Sequence, residues 1–213
     1  IEHGGNLVVI GEPRRQEYMA PVLEQLGLAF VPGVLVQPRE GYVADYLWAR
    51  FTPEGARLEP VFARMLELDN VLTMPSAAAI RKIGDRGFEA IPVFTTETTG
   101  CWNELETKNF SLEEPRLNTA LGEEEKAYVT GYALRRDVKE KEQRVFVLGD
   151  ADCISNGELG ANREFRRSNY ALTDGMFRWL VYDEYPIDVS RPAAKDNDTY
   201  LTPGGFAWIK VFL

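Results

Sequence analysis

The sequence predicts an α/β domain in which a mostly parallel sheet is covered by helices on both faces. Three observations lead to this fold class. Short apolar runs rich in β-branched residues, such as residues 6–10 (NLVVI), have the length and composition of strands buried on both faces. Amphipathic helical segments alternate with these runs. The chain has 213 residues, 45% of them hydrophobic, enough for the core of one domain.

The first strand, residues 6–10, is followed by a predicted helix. Pro21 is compatible only with the first turn of that helix, and Gly27 provides a left-handed stop. The apolar residues that recur with helical spacing are Met19, Val22, Leu23 and Leu26.

The same alternation continues through the middle of the chain. Pro60 is placed to open a short helix, and residues 71–74 predict a strand. Ser76 is placed to cap a helix over residues 77–83. Three further strands are predicted at residues 90–95, 128–134 and 144–148. Residues 42–52 and 128–137 are candidates for antiparallel edge strands.

The last predicted helix begins near Asn162, a good N-cap residue, and packs against the sheet. Its apolar side comprises Phe165, Leu172, Met176, Trp179 and Leu180. Residues 104–125 are too polar and acidic for burial, so they predict a surface loop with one helical turn. An acidic partner-binding loop is the functional alternative.

The charge balance excludes one class of partner. The chain carries 24 Lys and Arg against 33 Asp and Glu, a net charge of −9, which repels phosphate backbones and anionic lipid surfaces. Nucleic acid is therefore not expected as a partner. No glycine-rich nucleotide motif follows a predicted strand, and the sequence predicts no cofactor.

Ligands of open α/β sheets bind beyond the carboxyl ends of the strands. Such ends are predicted at residues 11–15, 75–76, 95–99 and 149–152, and these turns share one rim if the strands are neighbours. The residues predicted to form a ligand-binding or partner-binding rim are Glu12, Arg14, Arg15, Ser76, Thr96, Trp102, Asp150, Asp152 and Asn156.

The turn at Asp150 and Asp152 is the sharpest signal on this rim. Two carboxylates separated by one residue after a strand can hold a hard cation through oxygen ligands. The alternative is structural, because Asp side chains also accept hydrogen bonds from loose backbone N–H groups in tight turns. Arg14 and Arg15 suit either an anion or a neighbouring acid.

No catalytic residue is predicted. His3 is the single histidine and lies in a glycine turn at the start of the chain. Cys101 lacks the strained elbow that exposes a nucleophile, and Cys153 has no evident base. The two cysteines permit at most one disulfide, and their spacing is not that of a metal site.

The two ends of the chain suggest a longer protein. The chain begins at Ile1 without a signal segment, so we expect residues before it. The apolar residues 206–213 are far fewer than the roughly 20 of a membrane helix. They are either the entry to a membrane span, whose boundary suits Trp208, or a closing strand of the sheet.

Four segments together carry a family resemblance. They are GGNLVVIGEPRRQEYMAPVLEQLGL, PVFTTETTGCWNE, QRVFVLGDADCISN and SRPAAKDNDTYLTPGGFAWIKVFL. This combination resembles the gliding-motility-associated (GldG-like) auxiliary components of ABC-type transport systems.

The resemblance implies a flavodoxin-like or class I glutamine amidotransferase-like sheet on the extracytoplasmic (periplasmic) side of the inner membrane. Residues 1–192 would form a single domain whose first strand–helix units lie before Ile1. Residues 193–213 would lead to a membrane helix beyond Leu213. The implied partners are the permease and ATPase subunits of the transporter, and the resemblance implies no catalysis.

The expected function is thus a non-catalytic accessory domain that binds transporter subunits or cargo. Two alternatives remain open. One is a carbohydrate-binding or peptide-binding domain in which Trp102 stacks on a ring beside the acidic turn. The other is a cysteine-dependent, amidotransferase-like hydrolase using Cys101 or Cys153.

Overall fold

The computed structural model describes residues 1–160 and 168–184, where a curled six-stranded sheet carries helices on both sides. The strands are β1 (Leu7–Ile10), β2 (Leu28–Phe30), β3 (Val34–Val36), β4 (Tyr46–Phe51), β5 (Leu72–Pro75), β6 (Ile80–Lys82), β7 (Glu89–Thr95), β8 (Trp102–Glu104), β9 (Val129–Val138) and β10 (Lys141–Leu148). The helices are α1 (Gln16–Gln25), α2 (Pro53–Ala56), α3 (Pro60–Glu67), α4 (Asn156–Leu159) and α5 (Asn169–Leu180). Ile1–Asp183 form one compact unit.

The large sheet is mostly antiparallel. Its strand order is β1-β10-β9-β7-β4-β5, and within it β1 and β10 are the parallel pair. The predicted parallel, flavodoxin-like or amidotransferase-like sheet is therefore wrong. The segments proposed as antiparallel edge strands, now β4 and β9, lie inside the sheet. Strands β2 and β6 form a separate small antiparallel pair, and so do β3 and β8.

A long hairpin accounts for much of this difference. Strands β9 and β10 pair from Gly131 and Leu148 down to Val138 and Lys141, which leaves a two-residue turn. Lys139 in that turn has a φ of 59°. Two-residue hairpin turns usually carry Asn or Gly. A turn of Lys and Glu gives no such signal, so the sequence prediction ended one strand early and began the next late.

Apolar residues pack on both faces of β1 and of the second half of β10, as the apolar runs predict. Phe146 and Leu148 of β10 join the larger core, where the Trp179 ring of α5 packs edge-on against Phe146 at 6.0 Å. Val145 and Val147 face the other way and pack with Leu23 of α1. The two helices thus cover opposite faces of the same strands.

The helix predictions were confirmed in part. Helix α3 begins at Pro60 as predicted, and Gly27 beyond α1 has a φ of 74°. Pro21 lies in the second turn of α1 rather than the first, since the helix begins at Gln16. Its solvent-exposed position makes the missing backbone hydrogen bond tolerable.

The predicted helix over residues 77–83 is wrong. Ser76 has a φ of 59°, and the alanines after it are fully buried in extended chain that leads into β6. The backbone of this segment bonds to three others: Leu35 N donates to Ala77 O, Ala78 N to Gly149 O, and Val31 N to Ala79 O. Alanine is used here for its small size and not for its helix propensity.

Helix α5 buries Leu172, Met176, Trp179 and Leu180, as its spacing predicts. The predicted N-cap Asn162, Phe165 and the segment 193–213 with Trp208 lie outside the described residues. Within residues 1–160 and 168–184, no helix has the length and apolar character needed to span a bilayer.

The polar loop after β8 is largely exposed and contains a single 3-10 turn, Thr119–Leu121. Two acids of the predicted segment 104–125 contradict the expectation that it is too acidic to bury. Glu104 is 2% exposed and Glu123 is 1% exposed. Backbone N–H groups surround both carboxylates, and such donors replace the water lost on burial.

Candidate functional site

Four strands of the large sheet point the same way. Strands β1 and β10 are parallel, and β9 and β4 run opposite to them, so β7 and β5 share the direction of β1 and β10. The carboxyl ends of β1, β5, β7 and β10 therefore lie along the same end of the sheet. These are the four ends predicted from the sequence. Among these four described strands, only β1 and β10 are neighbours, because β9 separates β10 from β7 and β4 separates β7 from β5.

Three carboxylates meet beyond the ends of β1 and β10. Each of Glu12, Asp150 and Asp152 has a carboxylate oxygen within 4.8 Å of the others, and we call this group the acidic cluster. Asp150 is buried, Glu12 is half-buried and Asp152 is exposed. The cluster therefore runs from the protein interior to solvent, and it is the candidate metal-binding group among the described residues.

Asp150 is 0% exposed, and its two oxygens differ. Oδ1 accepts a hydrogen bond of 2.7 Å from the backbone N–H of Asp152, the structural role expected of an Asp in a tight turn. Oδ2 is buried and has no hydrogen-bond partner in the described part of the chain. Burial raises the pKa of Asp150 to about 8; the Asp152 N–H opposes this rise, and the charges of Glu12 and Asp152 add to it.

Glu12 and the two arginines after it form the β1 side of the site. Burial raises the pKa of Glu12, the charge of Asp152 adds to it, and Arg15 works against it. Arg14 has a φ of 64°. Its guanidinium donates to the Thr107 carbonyl at 3.3 Å, so it contacts the loop after β8.

Contacts from distant parts of the chain hold the turn after β10. The Ala78 N–H donates to the Gly149 carbonyl at 2.8 Å. A Cβ at Gly149 would lie 2.0 Å from the Ala78 carbonyl oxygen, so only glycine fits there. Gly149 thus allows the chain of residues 76–80 to pass directly over the start of the acidic turn.

Asn169, the first residue of α5, is a positioning residue that the sequence prediction missed. It is 1% exposed, and its amide donates to the Cys153 carbonyl at 2.8 Å and to the Thr73 carbonyl at 2.7 Å. Its Oδ1 accepts from the Thr73 N–H at 3.2 Å. The side chain therefore bonds β5 as a neighbouring strand would and joins it to the acidic turn. The sequence carried no signal for this role, because the predicted helix begins near Asn162 and not at Asn169.

Two of the remaining predicted rim residues are engaged elsewhere. Ser76, with its positive φ, hydrogen-bonds the carboxylate of Asp45. Thr96 is 3% exposed, and its hydroxyl accepts from the Tyr128 N–H at 2.9 Å. Both side chains serve internal contacts.

The last two predicted rim residues, Trp102 and Asn156, lie in different surroundings from each other. Trp102 is 8% exposed in β8, and its indole N–H donates to Glu104 Oε2 at 3.1 Å. The ring is therefore not presented for stacking on a ligand. Asn156 is exposed at the first position of α4, and Ser155 caps that helix by accepting from the Glu158 N–H.

The two cysteines are free and fully buried. Burial raises the pKa of Cys101 to about 11, and burial with the charges of Asp150 and Asp152 raises the pKa of Cys153 further above its ordinary value. The Cys153 thiol donates to the Asp150 carbonyl at 3.1 Å. Neither thiol is in the exposed, electropositive surroundings that favour a thiolate.

An open groove of about 480 Å³ forms a second surface feature, bordered by Pro38, Arg39, Glu40, Tyr42, Ala44 and residues 110–115. Tyr42 is 39% exposed there. Its ring stacks on Tyr46 at 5.6 Å and meets Trp48 edge-on at 5.8 Å. The Tyr42 ring is therefore packed against two aromatic neighbours and partly exposed in the groove.

Comparisons of the chain with known protein-family models and with curated proteins gave no match.

Proposed function

We propose that this chain is a non-catalytic binding domain of an ABC-type transport system, acting on the extracytoplasmic side of the membrane. Its binding surface would be the rim at the carboxyl ends of β1 and β10, with transporter subunits or cargo as partners. The observation that carries the binding role is the convergence of Glu12, Asp150 and Asp152 beyond the two parallel strands.

The rim has the properties of a binding surface. Arg14, Arg15 and Asp152 are exposed, so charges of both signs face solvent beside the buried Asp150. Complementary charges steer partners and set specificity more than they add affinity. The transporter assignment itself rests on the four sequence segments named above. The implied flavodoxin-like sheet does not support it.

The thiol chemistry favours binding over a cysteine-dependent reaction. A cysteine nucleophile needs an accessible thiolate, and both thiols are buried with raised pKa values. Their burial is that of small core residues.

The test is recovery of transporter subunits with the whole protein from its native membranes. The rim variant is Arg15→Glu, and the matched control is Lys141→Glu, an exposed lysine at the opposite end of β10. We expect the wild type and the control to bring down permease and ATPase subunits, and the rim variant to recover several-fold less. Recovery of no transporter subunit by the wild type, or equal recovery by both variants, would overturn the proposal.

The aromatic groove favours a second candidate, binding of a carbohydrate or peptide. Tyr42 would provide the stacking platform, because the Trp102 ring is buried. Aromatic rings bind sugar faces and peptide side chains through their apolar surface. A glycan and peptide panel would test it: binding lost in Tyr42→Ala but kept in Tyr18→Ala, an exposed tyrosine on α1, supports the groove, and a panel without hits excludes it.

A further inference from the structure

The acidic cluster has a donor set suited to one class of ligand. Hard divalent cations such as Ca²⁺ prefer oxygen ligands and commonly bind several carboxylates at once. The three carboxylates of the cluster lie within 4.8 Å of one another. That spread fits the diameter of a Ca²⁺ coordination sphere, roughly 4.6–5.2 Å when each oxygen lies 2.3–2.6 Å from the ion.

A cluster of acids alone is common on protein surfaces, and Asp150 adds an independent observation. Its side chain is 0% exposed, and among the described residues nothing donates to its Oδ2. Buried polar atoms are nearly always hydrogen-bonded, so a buried carboxylate oxygen without a donor requires an explanation. A bound cation would explain this oxygen, and it would also explain why two other carboxylates lie beside it.

The geometry of the turn fits a prepared site. Oδ1 of Asp150 is held by the Asp152 N–H, which orients the carboxylate, and Oδ2 has no donor among the described residues. Gly149 and Asn169 fix the backbone on either side through Ala78, Thr73 and Cys153. Sites with such supporting contacts hold their ligands in place before the ion arrives.

From this geometry we infer that Glu12, Asp150 and Asp152 form a divalent-cation site, with Ca²⁺ as the preferred ion and water completing its coordination on the exposed side. We expect Mg²⁺ to bind more weakly than Ca²⁺, because its octahedral coordination shell is smaller and needs shorter, more regular oxygen contacts. The inference deepens the proposed function, since it assigns a ligand to the same rim and rests on that rim being a binding surface.

A bound cation would also change the rim itself. It would neutralise part of the negative charge beyond β1 and β10 and would tie the turn after β1 to the turn after β10. A partner that recognises the rim would then meet it in a calcium-dependent form.

The experiment is calorimetric titration of the purified, chelator-treated protein with Ca²⁺ and, separately, with Mg²⁺. We expect one Ca²⁺ site with a Kd on the order of 10⁻⁴–10⁻³ M, as in extracellular calcium modules, and weaker Mg²⁺ binding. Asp152→Asn and Glu12→Gln change exposed and half-buried positions, and each should weaken Ca²⁺ binding about tenfold or more. Glu140→Gln, an exposed acid in the β9–β10 turn, is the control and should bind as the wild type does.

Asp150→Asn tests the buried ligand, and urea unfolding without cation shows separately whether this variant folds. Absence of Ca²⁺ binding by the wild type at millimolar concentrations would overturn the inference. Unchanged Ca²⁺ binding in both Asp152→Asn and Glu12→Gln would overturn it as well, because the ion would then bind elsewhere. Calorimetry measures the ion with no partner present, so absence of Ca²⁺ binding is distinguishable from equal subunit recovery by Arg15→Glu and Lys141→Glu.

Discussion

Glu104 and Asp150 are both carboxylates inside the protein, 2% and 0% exposed, but their surroundings differ in kind. Glu104 accepts hydrogen bonds from the Glu106 and Thr107 N–H groups and from the indole of Trp102. Burial acts to raise the pKa of Glu104, but these donors outweigh it, and the pKa lies below its usual value. Burial acts to raise the pKa of Asp150, and the backbone N–H groups of Asp152 and Cys153 act to lower it, but no described residue donates to Oδ2. Burial outweighs these donors, and the pKa rises to about 8.

The difference separates a structural carboxylate from a candidate ligand. Glu104 and Glu123 organise the loop after β8, because their carboxylates accept hydrogen bonds from N–H groups of the loop backbone. Asp150 faces two further carboxylates and keeps one oxygen without a donor among the described residues. Burial of an acid therefore does not by itself mark a site. The balance of donors around it does.

Removal of the structural carboxylate should produce the largest effect. Glu104→Ala removes the acceptor of three N–H donors: the buried indole of Trp102 and the backbone groups of Glu106 and Thr107, which are only part-buried and can bond to water instead. We therefore expect a loss of about 3 kcal/mol of unfolding free energy. Urea unfolding at neutral pH measures it. Glu113→Ala, an exposed acid in the same loop, is the control and should change stability by less than about 0.5 kcal/mol. A loss below about 1 kcal/mol in Glu104→Ala would contradict the structural role.

Asp150→Asn should act in the opposite sense near neutral pH. The folded pKa of about 8 lies above the unfolded value of about 3.9, so the folded state binds the extra proton. The contribution of Asp150 to the free energy of unfolding is therefore complete below about pH 4. It is lost as the pH rises to about 8, by at most about 1.4 kcal/mol per pH unit. Asparagine has no such titration.

We therefore expect the chelator-treated variant to gain stability relative to the wild type as pH rises from about 5 to about 8. Urea unfolding at several pH values within this range measures the difference. Glu140→Gln serves as the control, because an exposed acid should follow the wild-type profile. Parallel profiles for Asp150→Asn and the wild type would show that Asp150 is ionised in the folded protein throughout.

A smaller effect is expected at Glu123, the second carboxylate of the loop. Its oxygens accept from the Leu105 N–H at 2.9 Å and from the Asn118 N–H at 2.6 Å. Glu123→Gln keeps one acceptor and places an amide N–H against a donor, which should cost about 1–2 kcal/mol. The neighbouring exposed Glu124→Gln should cost less than about 0.5 kcal/mol. Equal unfolding midpoints for the two variants would rule out the structural role of Glu123.

The smallest effect concerns local opening of the two regions, which the buried cysteines report. Cys153 lies beside Asp150, whereas Cys101 lies three positions before Glu104. If the acidic cluster binds Ca²⁺, saturating Ca²⁺ should slow the reaction of Cys153 with a thiol reagent by a few-fold and leave Cys101 unchanged. Mass spectrometry of each cysteine peptide gives the two rates. Equal slowing at both thiols would indicate general stabilisation and not binding at the cluster.

Local features of the fold could be predicted from the sequence. Strands β5 and β7 and helix α3 lie within one or two residues of their predictions, because burial of apolar runs and proline at a helix start act over short distances. The Asp150 turn was also predicted, since Asp residues after a strand have few roles. Its neighbour Glu12 was placed on the same rim from the rule that strand ends converge.

Pairing between strands could not be predicted in the same way. The Lys139 turn carries no hairpin signature, and residues 77–79 have the composition of a helix but lie extended against three backbones. Asn169 gave no sign that it would bond Thr73 and Cys153. These outcomes depend on partners distant in the chain, which override local propensity.

The sequence by itself determined where most strands and helices form and which carboxylates follow β1 and β10, because these depend on neighbouring residues. Only the tertiary structure decided that the sheet is antiparallel at its centre and that Asp150 is buried beside Glu12 and Asp152. The physical reason is that strand direction and the supply of hydrogen-bond donors around a buried carboxylate are set by long-range packing, which short sequence patterns do not encode.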